Sequence, residues 1–221
     1  MSRLIVTAGC TVEIVPASVF KTILQPVDST SKGKPKRCHQ SWGNIDFSKA
    51  DGNDYDDLKN NLIKEYKKLD GLLLNASILG DRSPIEEYDI SVWVETLHIN
   101  LTAQFILVKT LLPILHSSNN ASVLFTSSGV GKVGKAFWGA YSVSKFGVEG
   151  LSQILSNEHA NDKSIRFNCI NPGPTMTKMR KAAYPLEDPS KLLKPRDIMQ
   201  KYIWLMSDES IDIRGESIEC Q

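Results

Sequence analysis

The sequence predicts an α/β fold: a doubly wound parallel sheet with helices on both faces. Three observations carry that prediction. Short β-branched or apolar runs alternate with longer amphipathic stretches, the pattern of repeated strand–helix–strand units. The run Gly71–Asn75 is apolar up to its last residue, as expected of a strand covered on both faces. No segment repeats at the period of roughly 20–50 residues that marks solenoids and propellers.

Thr11–Val15 reads as the first strand, and a weak helical pattern follows it to about Gln25. A polar loop then carries the basic run Lys32–Arg37, Trp42–Phe47 is the next strand, and Tyr55–Lys67 is a charged surface helix. After Gly71–Asn75, the apolar positions Trp93, Leu97, Leu101, Phe105, Val108, Leu112 and Leu115 step by three or four. That spacing predicts one long helix with a single buried stripe. Ala121–Thr126, Tyr141–His159 and Ser164–Ile170 read as strand, helix and strand, and Lys194–Met206 with Gly215–Glu219 close the series. In such sheets ligands sit at the carboxyl ends of the strands. The polar residues there, Asp46, Asn75, Ser127, Ser128 and Asn171, outline one crevice.

The chain has 221 residues, 26 Lys and Arg against 25 Asp and Glu, and a formal net charge of +1. This length suits one α/β domain or two small ones. The near-neutral balance excludes whole-protein electrostatics as a basis for nucleic-acid or membrane binding. No uncharged apolar run approaches the roughly 20 residues of a membrane span, and Glu13 cuts the apolar stretch that imitates a signal peptide. The expectation is a cytoplasmic protein with neither nucleic-acid nor membrane partners.

The cysteines Cys10, Cys38, Cys169 and Cys220 are scattered, with no C-x-x-C pair and no His at ligand spacing. They read as free thiols without a metal site, and Cys169 as a buried strand residue. Gly129-Val-Gly-Lys-Val-Gly134 matches G-x-G-x-x-G and, with Lys135, nearly spells a phosphate-binding P-loop. Ala136 stands where that loop needs a hydroxyl, and no convincing helical turn follows, so the segment reads as a glycine-rich loop. The Lys32–Arg37 run reads as a solvated loop. With no G-x-S-x-G and only four His, a Ser/His/Asp hydrolase has little support.

The sharp signal is Tyr141-Ser-Val-Ser-Lys145. Residues i and i+4 of a helix share a face, so phenol and ammonium address the same space. A phenol titrates near pH 10 and serves as a base at neutral pH only when a cation stabilises the phenolate. Thirteen residues before Tyr141, Ser128 ends a strand with a hydroxyl able to bond a substrate oxygen. By itself such a pair also occurs on many surface helices. Here it stands in order with Asn75-Ala-Ser, Asn100, Thr126-Ser-Ser128 and Asn171-Pro-Gly-Pro-Thr-Met-Thr177.

That ordered set resembles the short-chain dehydrogenase/reductase family over about residues 42–219, with a Rossmann-like fold. Leu69–Asn75, Phe125–Ser128, Trp138–Tyr141 and Asp197-Ile-Met carry a closer likeness to its bacterial YciK-like oxidoreductase branch. The resemblance implies reversible hydride transfer between NADP or NAD and a small-molecule carbonyl or alcohol. It makes Tyr141 the general acid/base, Lys145 the group that lowers the phenol's pKa and holds the nicotinamide ribose, and Ser128 the group that orients the substrate oxygen. Asn100 holds a water that relays protons from Lys145. Asp46 bonds the adenine, Asn75, Ala76 and Ser77 lie along the adenine-side ribose, and Pro172, Gly173, Thr175 and Thr177 line the nicotinamide end. The family also implies a homodimer or homotetramer through the long helices, with Phe105 and Phe146 at the interface.

The front departs from the family. No Thr-Gly-x-x-x-Gly-x-Gly turn, whose backbone amides cradle a pyrophosphate, occurs in the sequence. The preferred alignment makes Ser2–Ala8 the tail of the family's first helix and Gly9-Cys-Thr-Val12 the start of its second strand. Residues 1–221 are then one domain, with 1–41 divergent or truncated and the first strand and glycine turn missing. That strand ends Val15-Pro-Ala-Ser18, without the Arg usual in members that take the phosphorylated cofactor. Ser77 replaces the usual glycine. The alternative expectation is a non-catalytic member that keeps the fold without productive cofactor binding.

Overall fold

The structure is a computed structural model that describes the backbone of residues 4–8 and 12–16 and all of residues 45–221. Among these, six strands form one sheet: β1 (Leu4–Ala8), β2 (Val12–Pro16), β3 (Gly71–Leu74), β4 (Ala121–Thr126), β5 (Ile165–Asn171) and β6 (Ser217–Glu219). Their spatial order is β2-β1-β3-β4-β5-β6. All neighbouring pairs are parallel except β1 with β2. The helices are α1 (Gly52–Glu65), α2 (Ile90–Leu97), α3 (Ala103–Leu115), α4 (Gly139–Glu158), α5 (Lys178–Ala183) and α6 (Pro195–Leu205).

The strands β3, β4 and β5 are buried along their whole length, and β3 runs apolar throughout, as a strand covered on both faces does. The polar side chains buried in the other two are hydrogen-bonded, Ser122 to Leu205 O, Arg166 to Ser207 O and Asn168 to Ile213 O. Successive side chains point to opposite faces, and the core divides accordingly. Leu72, Leu74, Val123, Phe125, Phe167 and Cys169 pack on one face with Leu62, Leu107, Leu111 and Val148 from the helices. Leu73, Leu124 and Ile170 pack on the other with Ile198, Tyr202 and Leu205 of α6. Both faces covered, with helices between parallel strands, is the predicted fold class.

Three readings of the sequence are corrected. Leu4–Ala8 is not the tail of a helix; it is a strand that pairs in parallel with β3, Ile5 beside Gly71 and Ala8 beside Leu74. The strand predicted at Thr11–Val15 is present as Val12–Pro16 but runs antiparallel to β1. Only three residues separate the two strands, too few for the dozen or so that a parallel crossover needs. The strand predicted at Trp42–Phe47 is absent over its described part, Ile45–Phe47. Asp46 makes a turn there instead, accepting from Ser48 N (3.1 Å) and Oγ (2.7 Å), a side-chain bond that competes with strand pairing. The weak helix to Gln25 and the Lys32–Arg37 loop lie outside the described residues.

The long helix predicted from Trp93 to Leu115 begins earlier, at Ile90, because Asp89 caps it through Ser91 N (2.7 Å) and Val92 N (3.1 Å). It is broken by a π-turn at His98–Thr102. The π-turn inserts a residue and changes the phase, so the single stripe fails. Phe105 is 45% exposed, while Thr96, Asn100, Ala103, Gln104, Leu107 and Leu111 face inward. Ile90–Leu115 has the length and mean hydropathy (1.3) of a membrane span, but Leu107, Leu111 and Leu115 are wholly buried in the core.

Candidate active site

The site is assembled at the carboxyl ends of β3, β4 and β5. Each strand ends at or just before a polar residue; helix side chains fasten the ends of β3 and β4, and Glu219 of β6 fastens that of β5. The loop after β3 is held by the inward polar face of the α2–α3 helix. Asn100, fully buried in the π-turn, accepts from Ile78 N (2.8 Å) and donates to Ile78 O (2.9 Å) and Ser144 Oγ (3.1 Å). Gln104 donates to Ala76 O (3.0 Å). A π-turn commonly marks a functional position; here it brings Asn100 to the loop.

At the end of β4, the Thr126 hydroxyl donates to Asn75 Oδ1 (2.9 Å) and the Thr126 carbonyl accepts from Lys145 Nζ (2.8 Å). Helix α4 begins at Gly139 and so presents Tyr141 in its first turn. A Cβ on Gly139 would stand 2.3 Å from the Tyr88 ring, so that close approach requires glycine. Tyr141 is 8% exposed, with the Ser128 side chain beside its phenol. Burial pushes this phenol's pKa up, and the neighbouring Ser128 hydroxyl opposes the rise. Lys145, 1% exposed, lies with Nζ 5.6 Å from the centre of the Tyr141 ring. Burial lowers its pKa to about 8, because desolvation disfavours the charged form.

After β5, Asn171 donates to Glu219 (2.6 Å) and accepts from Gly173 N (3.1 Å). Gly173 takes φ +70°, and a Cβ there would meet the Gln221 side chain at 2.9 Å. Gln221 donates to Pro172 O (2.7 Å). Thr175 is buried with its hydroxyl 3.2 Å from Gly173 O. Exposed Thr177 caps α5, accepting from Arg180 N (3.0 Å). A wall of Val130, Trp138, Leu79, Met179, Ala183 and Tyr184 surrounds Tyr141.

The structure thus brings together Ser128, Tyr141 and Lys145, and ties Asn100 to their helix through Ser144. Asn75, Ala76 and Ser77 line the end of β3. Asp46 stands apart: it is exposed, and its carboxylate is engaged by Ser48 and by Lys49 at 3.4 Å. Sequence reasoning gave no role to Gln104, Ser144, Tyr88 or Arg82. A signal existed for one of them, because Thr96, Asn100 and Gln104 step by four and so share a helix face. Cys169 is buried, and burial pushes its thiol up to about 12, which leaves it inert as a nucleophile.

A family model described as short chain dehydrogenase matches residues 13–188. The chain belongs to the short-chain dehydrogenase family. The uncharacterized oxidoreductase YciK of Escherichia coli is 43% identical over 180 residues, covering 81% of this chain and 71% of that protein. A short chain dehydrogenase of Shigella flexneri complexed with NADP superposes with a TM-score of 0.77 at 44% identity, covering 80% of this chain and 73% of the other. One from Escherichia coli complexed with NADPH gives the same TM-score of 0.77 at 44% identity, with the same coverage of 80% and 73%.

This short-chain dehydrogenase carries groups that fit a hydroxyl-rich ligand along the strand ends. The Ser77 hydroxyl is buried just beyond β3 with no hydrogen-bond partner in the protein, and such groups call for a partner. The buried Lys145 ammonium can donate further bonds, since an ammonium has three donors and the Thr126 carbonyl takes one.

Proposed function

We propose that the chain catalyses hydride transfer between NADP or NAD and a carbonyl/alcohol pair, with Tyr141 as the acid/base. The observation that carries this reading is the buried Tyr141 phenol beside Ser128, with the Lys145 ammonium 5.6 Å from the centre of its ring. The nicotinamide supplies the hydride chemistry when bound. Ser128 and Tyr141 both address the substrate oxygen: Ser128 orients it, and Tyr141 gives it a proton in reduction. The raised pKa keeps the phenol protonated across the neutral range, so the acid for carbonyl reduction is always present. In the alcohol-oxidising direction Tyr141 must lose that proton, and Lys145 stabilises the phenolate. Asn100 fastens the helix that carries both groups and holds a water to relay protons from Lys145.

Lys145, Asn75, Ala76 and Ser77 would hold the ribose hydroxyls, and Pro172, Gly173, Thr175 and Thr177 the nicotinamide end. Asp46 would release Ser48 to bond adenine. In this reading residues 1–221 are one domain of a cytoplasmic enzyme acting on small molecules. Phe105 and Phe146, 45% and 44% exposed on α3 and α4, contribute to a homodimer or homotetramer. Tyr141→Phe tests the reading: turnover of a panel of cyclic and linear ketones with NADPH should be abolished while NADPH affinity is nearly unchanged. Unchanged turnover would refute the role.

One observation favours a second reading, a family member that keeps the fold but does not hold a dinucleotide productively. The sequence has no Thr-Gly-x-x-x-Gly-x-Gly turn, and the short link between β1 and β2 leaves no space for a helix whose N-terminus would meet a pyrophosphate.

A further inference from the structure

Arg82 takes no part in the proposed chemistry, yet it joins the walls around Tyr141. The loop after β3 carries it to the mouth of the site. Its Nε donates to Phe137 O (2.8 Å), 55 residues away, and an NH group donates to Ala183 O (3.0 Å), 101 residues away. The guanidinium carbon lies 4.0 Å from the centre of the Trp138 ring and 5.7 Å from that of Tyr184. Trp138 in turn packs on Tyr141, with ring centres 5.5 Å apart, and on Tyr184, at 5.8 Å.

Each of these contacts has a physical reason to matter. Phe137 has φ +67°, a conformation that non-glycine residues avoid, and its carbonyl is one of the two that Arg82 holds. Ala183 ends α5, where carbonyls lack helical partners and a cation is favourable. Helix α5 has six residues and none of them is fully buried; Met179 and Ala183 pack partly buried against the wall, and Arg82 adds the hydrogen bond that fixes the helix end. Tyr141, by contrast, is rooted in the 20-residue α4. On the far side of Tyr184, Arg180 lies 3.9 Å over the ring and its Nε bonds Glu187 at 2.6 Å.

We propose that Arg82 is a latch: it holds α5 against the wall of Tyr141, and the site opens on that side when Arg82 releases Ala183 and Tyr184. Calling that side the substrate entrance rests on the function proposed above; the latch itself does not. Arg82 is a positioning residue and touches no reacting atom.

Trypsin reads the latch directly, because α5 contains Lys178, Arg180 and Lys181. Cleavage of the folded chain at these residues is timed by mass spectrometry, with Lys59 and Lys64 in α1 as internal references. Arg82→Ala removes two hydrogen bonds and should speed cleavage in α5 by on the order of tenfold. The reference sites and the melting temperature should stay unchanged. Arg82→Lys keeps the charge but loses the planar fork, and should give an intermediate rate; it also decides the matter should Arg82→Ala not fold. Amide exchange over residues 178–187 should rise in the same order. Unchanged α5 cleavage would overturn the latch, and so would an equal rise at Lys59 and Lys64, which would mean general loosening. NADPH titration of the wild-type chain separates the two claims: failure to bind overturns the oxidoreductase reading and leaves the protease result standing.

Discussion

At the scale of the residue, the site poses an electrostatic problem in Lys145. A buried ammonium whose pKa falls from 10.5 to about 8 costs the folded state up to about 3 kcal/mol while it is charged. Between pH 8 and 10.5 the unfolded chain binds more protons at this residue, so its contribution to stability improves as pH rises through that window. Lys145→Met should therefore gain most over the wild type below pH 8 and lose that advantage towards pH 10.5. Paired thermal melts check this, and a difference independent of pH would contradict it. Tyr141 and Lys145 were legible in the sequence because helical spacing puts i and i+4 on one face. Their surroundings were not, because Lys145 bonds the Thr126 carbonyl, and a backbone acceptor leaves no mark on residue identity.

At the scale of the element, the helix from Ile90 to Leu115 shows how local physics hides in a pattern. Its apolar positions fit an ideal period, yet the π-turn at His98–Thr102 shifts them and turns Asn100 inward. A helix that pays for an irregular turn does so for the bonds it gains, here three from one side chain. Asn100→Ala should strand the Ile78 N–H and carbonyl and cost about 2 kcal/mol. Urea unfolding measures that loss, and a change under about 0.5 kcal/mol would show that the loop stands without Asn100. The first strand was misread for a different reason. Five residues such as Leu4–Ala8 suit a strand or a helix end equally, and only pairing with β3 decides between them.

At the scale of the whole molecule, the fold class was legible because short β-branched and apolar runs alternate with longer amphipathic stretches, and because β3, buried on both faces, is apolar throughout. The position of the site followed from the same geometry. Neither the hairpin of β1 with β2 nor the aromatic wall from Trp138 to Tyr184 was legible, since both are made by contacts distant in sequence. Assembly belongs to this scale too. If α3 and α4 form the proposed interface, Phe105→Glu with Phe146→Glu should lower the mass seen by light scattering to that of a single chain. An unchanged assembly would place the interface elsewhere.

The central claim is that these strand ends hold a nicotinamide cofactor for Tyr141 to work beside. Titration of the 221-residue chain with NADPH and NADH, followed by nicotinamide fluorescence, tests it most directly. The account predicts saturable binding of at least one of them well below millimolar concentration. Binding of neither below millimolar concentration would contradict it and leave the chain a fold without its reaction.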